Sequence, residues 1–160
     1  MPLTLIAAMV TVPDEFSKFR ALFEEVLEEL ATKGIAAARP ALGMMVEVPA
    51  AALNIAAFDA DFVSIGSNDL IQYVMAASRD EPAVAHLYRA DDPAVLELIR
   101  RMVEMSAAQG REISLCGEMA SDPALVPLLL DAGLRRLSVA PSALGPVKAA
   151  IGAWRPAGPA

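Results

Sequence analysis

At 160 residues and 56% hydrophobic content, the chain can bury a sizeable core within one domain. Its net charge of -7 excludes a nucleic-acid binder, which needs a basic stripe along one face. No apolar stretch reaches the ~18 uninterrupted residues of a membrane helix; the run from Ile35 to Phe58 comes nearest, and Arg39 and Glu47 interrupt it. One cysteine rules out an internal disulfide and fits a reducing cytoplasm, and no basic stretch precedes an apolar one at the N-terminus, so no signal peptide is expected.

Strand and helix signals alternate along the chain. Leu3 to Met9 is a short apolar run, after which Thr11 and Pro13 supply an N-cap and a first-turn proline. Phe16, Phe19, Phe23, Val26, Leu27 and Leu30 recur at helical spacing, and Gly34 closes that helix. A second strand is expected over Leu42 to Val48, halted by Pro49 and followed by an alanine-rich helix to Ala57. Asp61 to Ile65 reads as a third strand, and Ser67 or Asp69 can cap a helix running towards Ala77. A polar loop spans Ser78 to Asp92. Pro93 then opens a helix carrying Val95, Leu96, Ile99, Met102 and Val103, which Gly110 ends. Glu112 to Cys116 is a fourth strand, Asp122 and Pro123 start a helix that Gly133 stops, Arg136 to Ala140 is a fifth strand, and Ser142 caps a last helix. The Pro-, Gly- and Ala-rich tail over 153–160 reads as disordered, leaving one domain over 1–152.

Alternating strands and helices imply βα units around a parallel sheet, either part of a barrel or an open doubly wound sheet. The mean hydropathy of +0.45 has two sources under this reading. A parallel sheet is buried on both faces, and apolar surfaces are expected that normally meet another domain or subunit.

The polar residues that interrupt the apolar strands gather at one place. Glu47 ends the second strand, Asn68 and Asp69 follow the third, and Cys116 and Glu118 follow the fourth. In α/β folds the C-terminal edge of the sheet is where sites form. Glu47 has only apolar neighbours, so it must be paired, protonated or metal-bound; a structural ion pair is the plain alternative. With Asp69 it makes a carboxylate pair suited to Mg²⁺, which prefers oxygen donors and keeps water. One Cys and one His make zinc a poor match.

Ser64-Ile65-Gly66-Ser67-Asn68-Asp69-Leu70 reads as strand, tight turn and helix start, where backbone N–H groups and the Asn68 amide can hold an anion. Ser-Asn-Asp is also ordinary capping chemistry. Arg79 is either a solvated loop arginine or a bidentate phosphate clamp. Most lone cysteines are inert small hydrophobes, yet Cys116, in Leu115-Cys116-Gly117-Glu118-Met119, lies beside a glycine and a carboxylate that suit a general acid more than a thiolate nucleophile. His86, the only histidine, falls in the polar loop and reads as a surface or structural residue; Met44 and Met45 read as packing.

Three segments together carry a resemblance. Gly43-Met44-Met45-Val46-Glu47-Val48-Pro49-Ala50-Ala51, Ser64 to Tyr73, and Cys116-Gly117-Glu118-Met119-Ala120 resemble the phosphoenolpyruvate-utilising enzymes. In order and spacing they are most similar to the C-terminal, phosphoenolpyruvate-binding domain of enzyme I of the bacterial sugar phosphotransferase system. The short segment between Asp69 and Cys116 and the Ser138-Val139-Ala140-Pro141 end favour that branch over pyruvate phosphate dikinase and phosphoenolpyruvate synthase.

The resemblance implies an α/β fold: the C-terminal part, about five βα units, of a (β/α)₈ barrel of ~250 residues. It implies Mg²⁺ on Glu47 and Asp69, phosphoryl contacts from Asn68, Asp69 and Arg79, and Cys116 as the acid that protonates the enolate to pyruvate. It implies as partners phosphoenolpyruvate and, through a region not present in this sequence, a histidine phosphocarrier protein. Arginines that the family contributes from earlier strands, and the histidine that accepts the phosphoryl group, are not among these residues, so the chain alone is expected to be inactive. A binding module without catalysis is the alternative from another class. The loop Leu87 to Val95 departs from the family pattern at Arg89, Ala90 and Asp92. Open strand edges predict a homodimer.

Overall fold

A computed structural model describes residues 3–156. Four strands, β1 (Thr4–Ala7), β2 (Ala41–Val46), β3 (Phe62–Gly66) and β4 (Glu112–Cys116), form one parallel sheet in the order β1-β2-β3-β4. Each strand lies beside the one before it in the chain. A doubly wound sheet reverses direction at a switch point, and this order has none, so it matches a barrel segment. The α/β expectation is borne out.

The connections are α1 (Pro13–Thr32), α2 (Pro49–Leu53), α3 (Ser67–Met75) and α4 (Pro93–Ala108), with α5 (Glu118–Ser121), α6 (Val126–Asp131) and α7 (Leu144–Ala153) after β4. Among the described residues no helix is long and apolar enough to cross a membrane.

Helix α4 follows its pattern closely. Val95, Leu98, Ile99 and Met102 are buried, and the Asp92 carboxylate caps the helix by accepting the Ala94 N–H at 2.9 Å. Helix α1 departs from it. Only Phe16 is fully buried; Phe23, Leu27 and Leu30 are half-buried, while Phe19, Leu22 and Val26 face solvent. Thr11 does not cap α1; instead the Glu15 carboxylate folds back to accept the Thr11 and Val12 N–H groups at 2.7 and 3.0 Å. Nor does a side chain cap α3, which starts directly from Gly66.

The fifth strand expected over Arg136 to Ala140 is reduced to one parallel bridge, Leu115 to Leu137. Leu115 donates to the Arg136 carbonyl at 3.1 Å and Ser138 donates to Leu115 at 2.8 Å. The pairing stops at Ser138; the Ala140 N–H turns instead to Ser121 Oγ at 3.0 Å, and Pro141 opens a 3-10 turn over Pro141–Ala143. Of the 153–160 tail, Ala153 closes α7, and the Trp154 indole donates to Asp131 at 2.9 Å and lies under the Arg135 guanidinium. The rest of the tail, over 157–160, lies outside the described residues.

The main core packs on one face of the sheet, where Leu42, Met44, Val46, Val63, Ile65 and Leu115 are at or near zero exposure, while the register puts Met45, Ser64, Gly66, Ser114 and Cys116 on the other face. A smaller cluster of Val126, Leu130 and Val147, flanked by Trp154, seats α7. The β1 edge exposes Leu3, Leu5, Ile6 and Met9.

Candidate active site at the C-terminal strand edge

Register brings the expected residues into one row. Val46 pairs with Ile65 and Gly66 with Cys116. Glu47, one residue past β2, therefore meets the end of β3, and Gly66 stands between Glu47 and Cys116.

Glu47 is 6% exposed. Its Oε1 accepts the Met9 N–H at 2.7 Å, while Oε2 takes no hydrogen bond among the described residues and is not sealed from solvent. Burying a carboxylate with one oxygen unpaired is costly unless a cation or donor arrives. Met9 itself has φ 54°, a left-handed conformation uncommon outside glycine. Gly66 makes room for the carboxylate. A Cβ there would lie 2.5 Å from Glu47 Oε2 and 3.0 Å from Met45 Cγ.

Gly117 has φ +105°, and a Cβ there would collide with Ser67 Oγ and sit 2.8 Å from Asn68 Oδ1. That close approach stitches the two βα turns together. Ser67 Oγ donates to the Cys116 carbonyl at 2.7 Å, and the Glu118 N–H donates to Asn68 Oδ1 at 3.0 Å. With Oδ1 so engaged, the Asn68 NH₂ group has no hydrogen-bond acceptor among the described residues.

Cys116 Sγ is half-buried, 3.5 Å from the Ile65 carbonyl oxygen, 3.6 Å from Met45 Sδ and 3.8 Å from Ser64 Oγ. The carbonyl and thioether are acceptors that match an S–H donor. Asn68, Cys116 and Glu118, with Ser121 and Ser138 to Ala140, line a cleft of about 480 Å³.

Arg79 reaches this cluster from the loop after α3, pairing with Glu118 Oε1 at 2.9 Å. Tyr88, from the same loop, donates its hydroxyl to the Asn68 carbonyl at 3.0 Å. Its hydroxyl is pushed above the ordinary tyrosine range, first by burial; Arg79 works against this, and the Glu118 and Asp69 charges add to it. Asp69, half-buried in the first turn of α3, thus shares the electrostatic neighbourhood of Arg79 and Glu118.

The row and its turns gather Glu47, Asn68, Asp69, Arg79 and Cys116 at one edge, and His86 is exposed on a short 3-10 turn over Ala85–Leu87. Sequence reasoning overlooked Met9, whose left-handed backbone has no residue signature, and Tyr88, a tyrosine in a loop whose pattern seemed disrupted. Among the described residues no group of three or more His, Cys, Asp or Glu side chains converges on one point. The oxygen donors at this edge are the Glu47 carboxylate, with Oε2 unpaired among the described residues, and the half-buried Asp69 carboxylate. That donor set fits Mg²⁺ and does not fit Zn²⁺.

Comparison by sequence with known proteins agrees on one family. The sequence profile of the PEP-utilising enzyme, PEP-binding domain, matches residues 1–155. The chain is 41% identical over 152 residues to phosphoenolpyruvate-protein phosphotransferase of Geobacillus stearothermophilus, covering 93% of this chain and 26% of that protein. The proteins of the same name from Staphylococcus carnosus and Cupriavidus necator are 42% and 40% identical, over 89% and 94% of this chain and 25% and 26% of theirs. The chain thus spans about a quarter of the length of these relatives. A crystal structure of a citrate lyase from Burkholderia xenovorans LB400 superimposes with a TM-score of 0.68 at 18% identity, over 93% of this chain and 48% of that one, a likeness of fold alone. The chain belongs to the PEP-utilising enzymes, as a PEP-binding domain of that family.

Proposed function

We propose that the C-terminal strand edge is the metal- and phosphoryl-binding part of a Mg²⁺-dependent phosphoenolpyruvate site, serving a phosphotransferase that passes the phosphoryl group to a histidine and on to a histidine phosphocarrier protein. The observation that carries this reading is the row Glu47, Gly66, Cys116 on adjacent βα turns, flanked by Asn68 and Asp69 at the start of α3 and by Arg79 from the loop after it. A buried carboxylate, an unengaged amide NH₂, a guanidinium and a thiol can supply the charge stabilisation and proton donation that phosphoryl transfer from an enol ester uses.

Glu47 and Asp69 would hold the Mg²⁺, which supplies positive charge against the carboxylate and phosphate of the substrate. The Asn68 NH₂ and the Arg79 guanidinium donate to phosphoryl oxygens. Ser67 and Gly117 keep the two turns in contact so that these donors stay in register. Once the phosphoryl group has left, Cys116 gives its proton to the enolate carbon. A C–H bond forms, the S–H bond breaks, and the thiolate regains a proton from water reaching the half-exposed sulfur.

Titration calorimetry with phosphoenolpyruvate tests the reading. Binding by the intact chain is expected to require Mg²⁺ and to be lost in Glu47→Ala; equal affinity with and without the metal, or in the variant, would refute it. The chain alone is expected to release no pyruvate above background, since the family's remaining arginines and acceptor histidine are not among its residues. Self-association belongs to the same proposal, because the β1 edge leaves Leu3, Leu5 and Ile6 uncovered. Light scattering at micromolar concentration is expected to give a dimer, and a clean monomer would contradict that part.

A further inference from the structure

Glu118 is tied to both groups that face the proposed phosphoryl position. Its backbone N–H fixes Asn68 Oδ1 at 3.0 Å, and its carboxylate accepts Arg79 Nη1 at 2.9 Å. The first contact orients the amide and does not depend on the side chain. The second is different, because it engages the guanidinium whose donors would bind the substrate. Arg79 and Glu118 are 42% and 74% exposed at the side chain, so the pair is open to solvent and to any anion entering the cleft.

From this geometry we infer that Glu118 is the resting partner of Arg79: its carboxylate competes with the phosphoryl group for the guanidinium and must swing away when phosphoenolpyruvate binds. The inference rests on the reading of Arg79 as a phosphoryl contact. A phosphate dianion offers more charge and more acceptors than one carboxylate, so it displaces Glu118. Pyruvate has no phosphoryl group and does not call on Arg79. When the phosphoryl group has departed, Arg79 returns to Glu118, and the exchange favours the phosphorylated ligand over the product. Glu118 is on this account a positioning residue and not a catalytic one. Tyr88, hydrogen-bonded to the Asn68 carbonyl, keeps the Arg79 loop against the site throughout the exchange.

The strength of the effect follows from the exposure of the pair. Solvent-exposed ion pairs contribute at most about 1 kcal/mol, so removing the competitor is expected to tighten binding by roughly two- to five-fold. Glu118→Gln leaves the backbone contact to Asn68 in place and removes only the charge. Calorimetric titration of the full chain with phosphoenolpyruvate and, separately, pyruvate, each with Mg²⁺, provides the readout. The expected result is a Kd for phosphoenolpyruvate lowered roughly two- to five-fold in Glu118→Gln, with pyruvate affinity unchanged. The gain should vanish at ~1 M salt, where the screening length falls to roughly 3 Å, and should be absent when Arg79→Ala is also present.

Unchanged or weaker phosphoenolpyruvate binding in Glu118→Gln overturns the inference, as does an equal shift for pyruvate. Arg79→Ala alone separates the two layers. If it binds phosphoenolpyruvate as tightly as the unaltered chain, the phosphoryl role of Arg79 fails first and the exchange with it. If it binds more weakly while Glu118→Gln brings no gain, only the exchange fails. Failure of the unaltered chain to bind phosphoenolpyruvate overturns both.

Discussion

Glu47 carries two duties that a pair of substitutions can separate. Its Oε1 accepts the Met9 N–H at 2.7 Å, supporting a backbone held at φ 54°, while Oε2 is the oxygen left for the proposed cation. Glu47→Gln keeps an amide oxygen that can accept the Met9 N–H but loses the charge. Glu47→Ala loses both. A hydrogen bond to a charged group contributes ~1.5–3 kcal/mol. For a chain of this size each kcal/mol moves the melting temperature by about 2–4 °C, so Glu47→Ala should melt roughly 3–12 °C lower. Glu47→Gln should lose less than half of that, yet lose Mg²⁺-dependent phosphoenolpyruvate binding as fully as the alanine variant. Differential scanning calorimetry and ligand titration on the same samples check both halves. Mg²⁺-dependent binding retained in Glu47→Gln would refute the metal role. Equal melting temperatures for the two variants would refute the Met9 contact as the source of the stability loss.

Gly117→Ala should destabilise the chain by about 1–3 kcal/mol or more in chemical denaturation, because the added Cβ meets Ser67 Oγ and Asn68 Oδ1 at a left-handed backbone position. A melting curve matching that of the unaltered chain would contradict the close approach of the two turns. Trp154→Ala removes the hydrogen bond to Asp131 and the stack under Arg135, and should lower stability by ~1–3 kcal/mol; no change would show that the small C-terminal cluster does not depend on Trp154. Asp61 is held below the ordinary carboxylate range, first by the Leu42 N–H and then by Arg20. Its contribution is therefore present above the unfolded-state value and lost as pH falls through the lower folded-state one, so Asp61→Asn should flatten the acid side of the stability profile. An unchanged acid limb in that variant would contradict the assignment.

The sequence was most informative where the chemistry itself breaks a pattern. Glu47 interrupts an apolar strand and Asn68-Asp69 follows a glycine turn, and both stand at the expected edge because parallel strands in sequential order align their C-terminal ends. Helix α4 was legible for the same reason, since its apolar stripe and its Pro93 start agree with each other. The α1 stripe was legible as a helix but not as a buried face: Phe19, Leu22 and Val26 are apolar yet exposed, and periodicity cannot distinguish a face against the core from one left open. Capping was misjudged at three helices, α7 among them: it starts from Ala143 with no side-chain cap, and Ser142 lies inside the preceding 3-10 turn. Glu15 does the work expected of Thr11, and the hydroxyl of Ser67 is drawn across to the Cys116 carbonyl instead of its own helix. The fifth strand failed because only Leu137 pairs with β4, the Ala140 N–H being drawn to Ser121 Oγ instead of a ladder partner. The Arg79–Glu118 and Tyr88–Asn68 contacts join residues 39 and 20 apart along the chain, and no local pattern records such pairings.

Paramagnetic broadening by Mn²⁺, an oxygen-seeking stand-in for Mg²⁺, tests the central claim most directly. Titrated into the isotopically labelled chain with phosphoenolpyruvate, it should broaden the amide signals of Val46 to Val48, Gly66 to Leu70 and Cys116 to Glu118 before any others, and Glu47→Gln should abolish that pattern. Broadening centred instead on the exposed carboxylates of α1, around Glu24 to Glu29, would contradict a metal-dependent site at the strand edge.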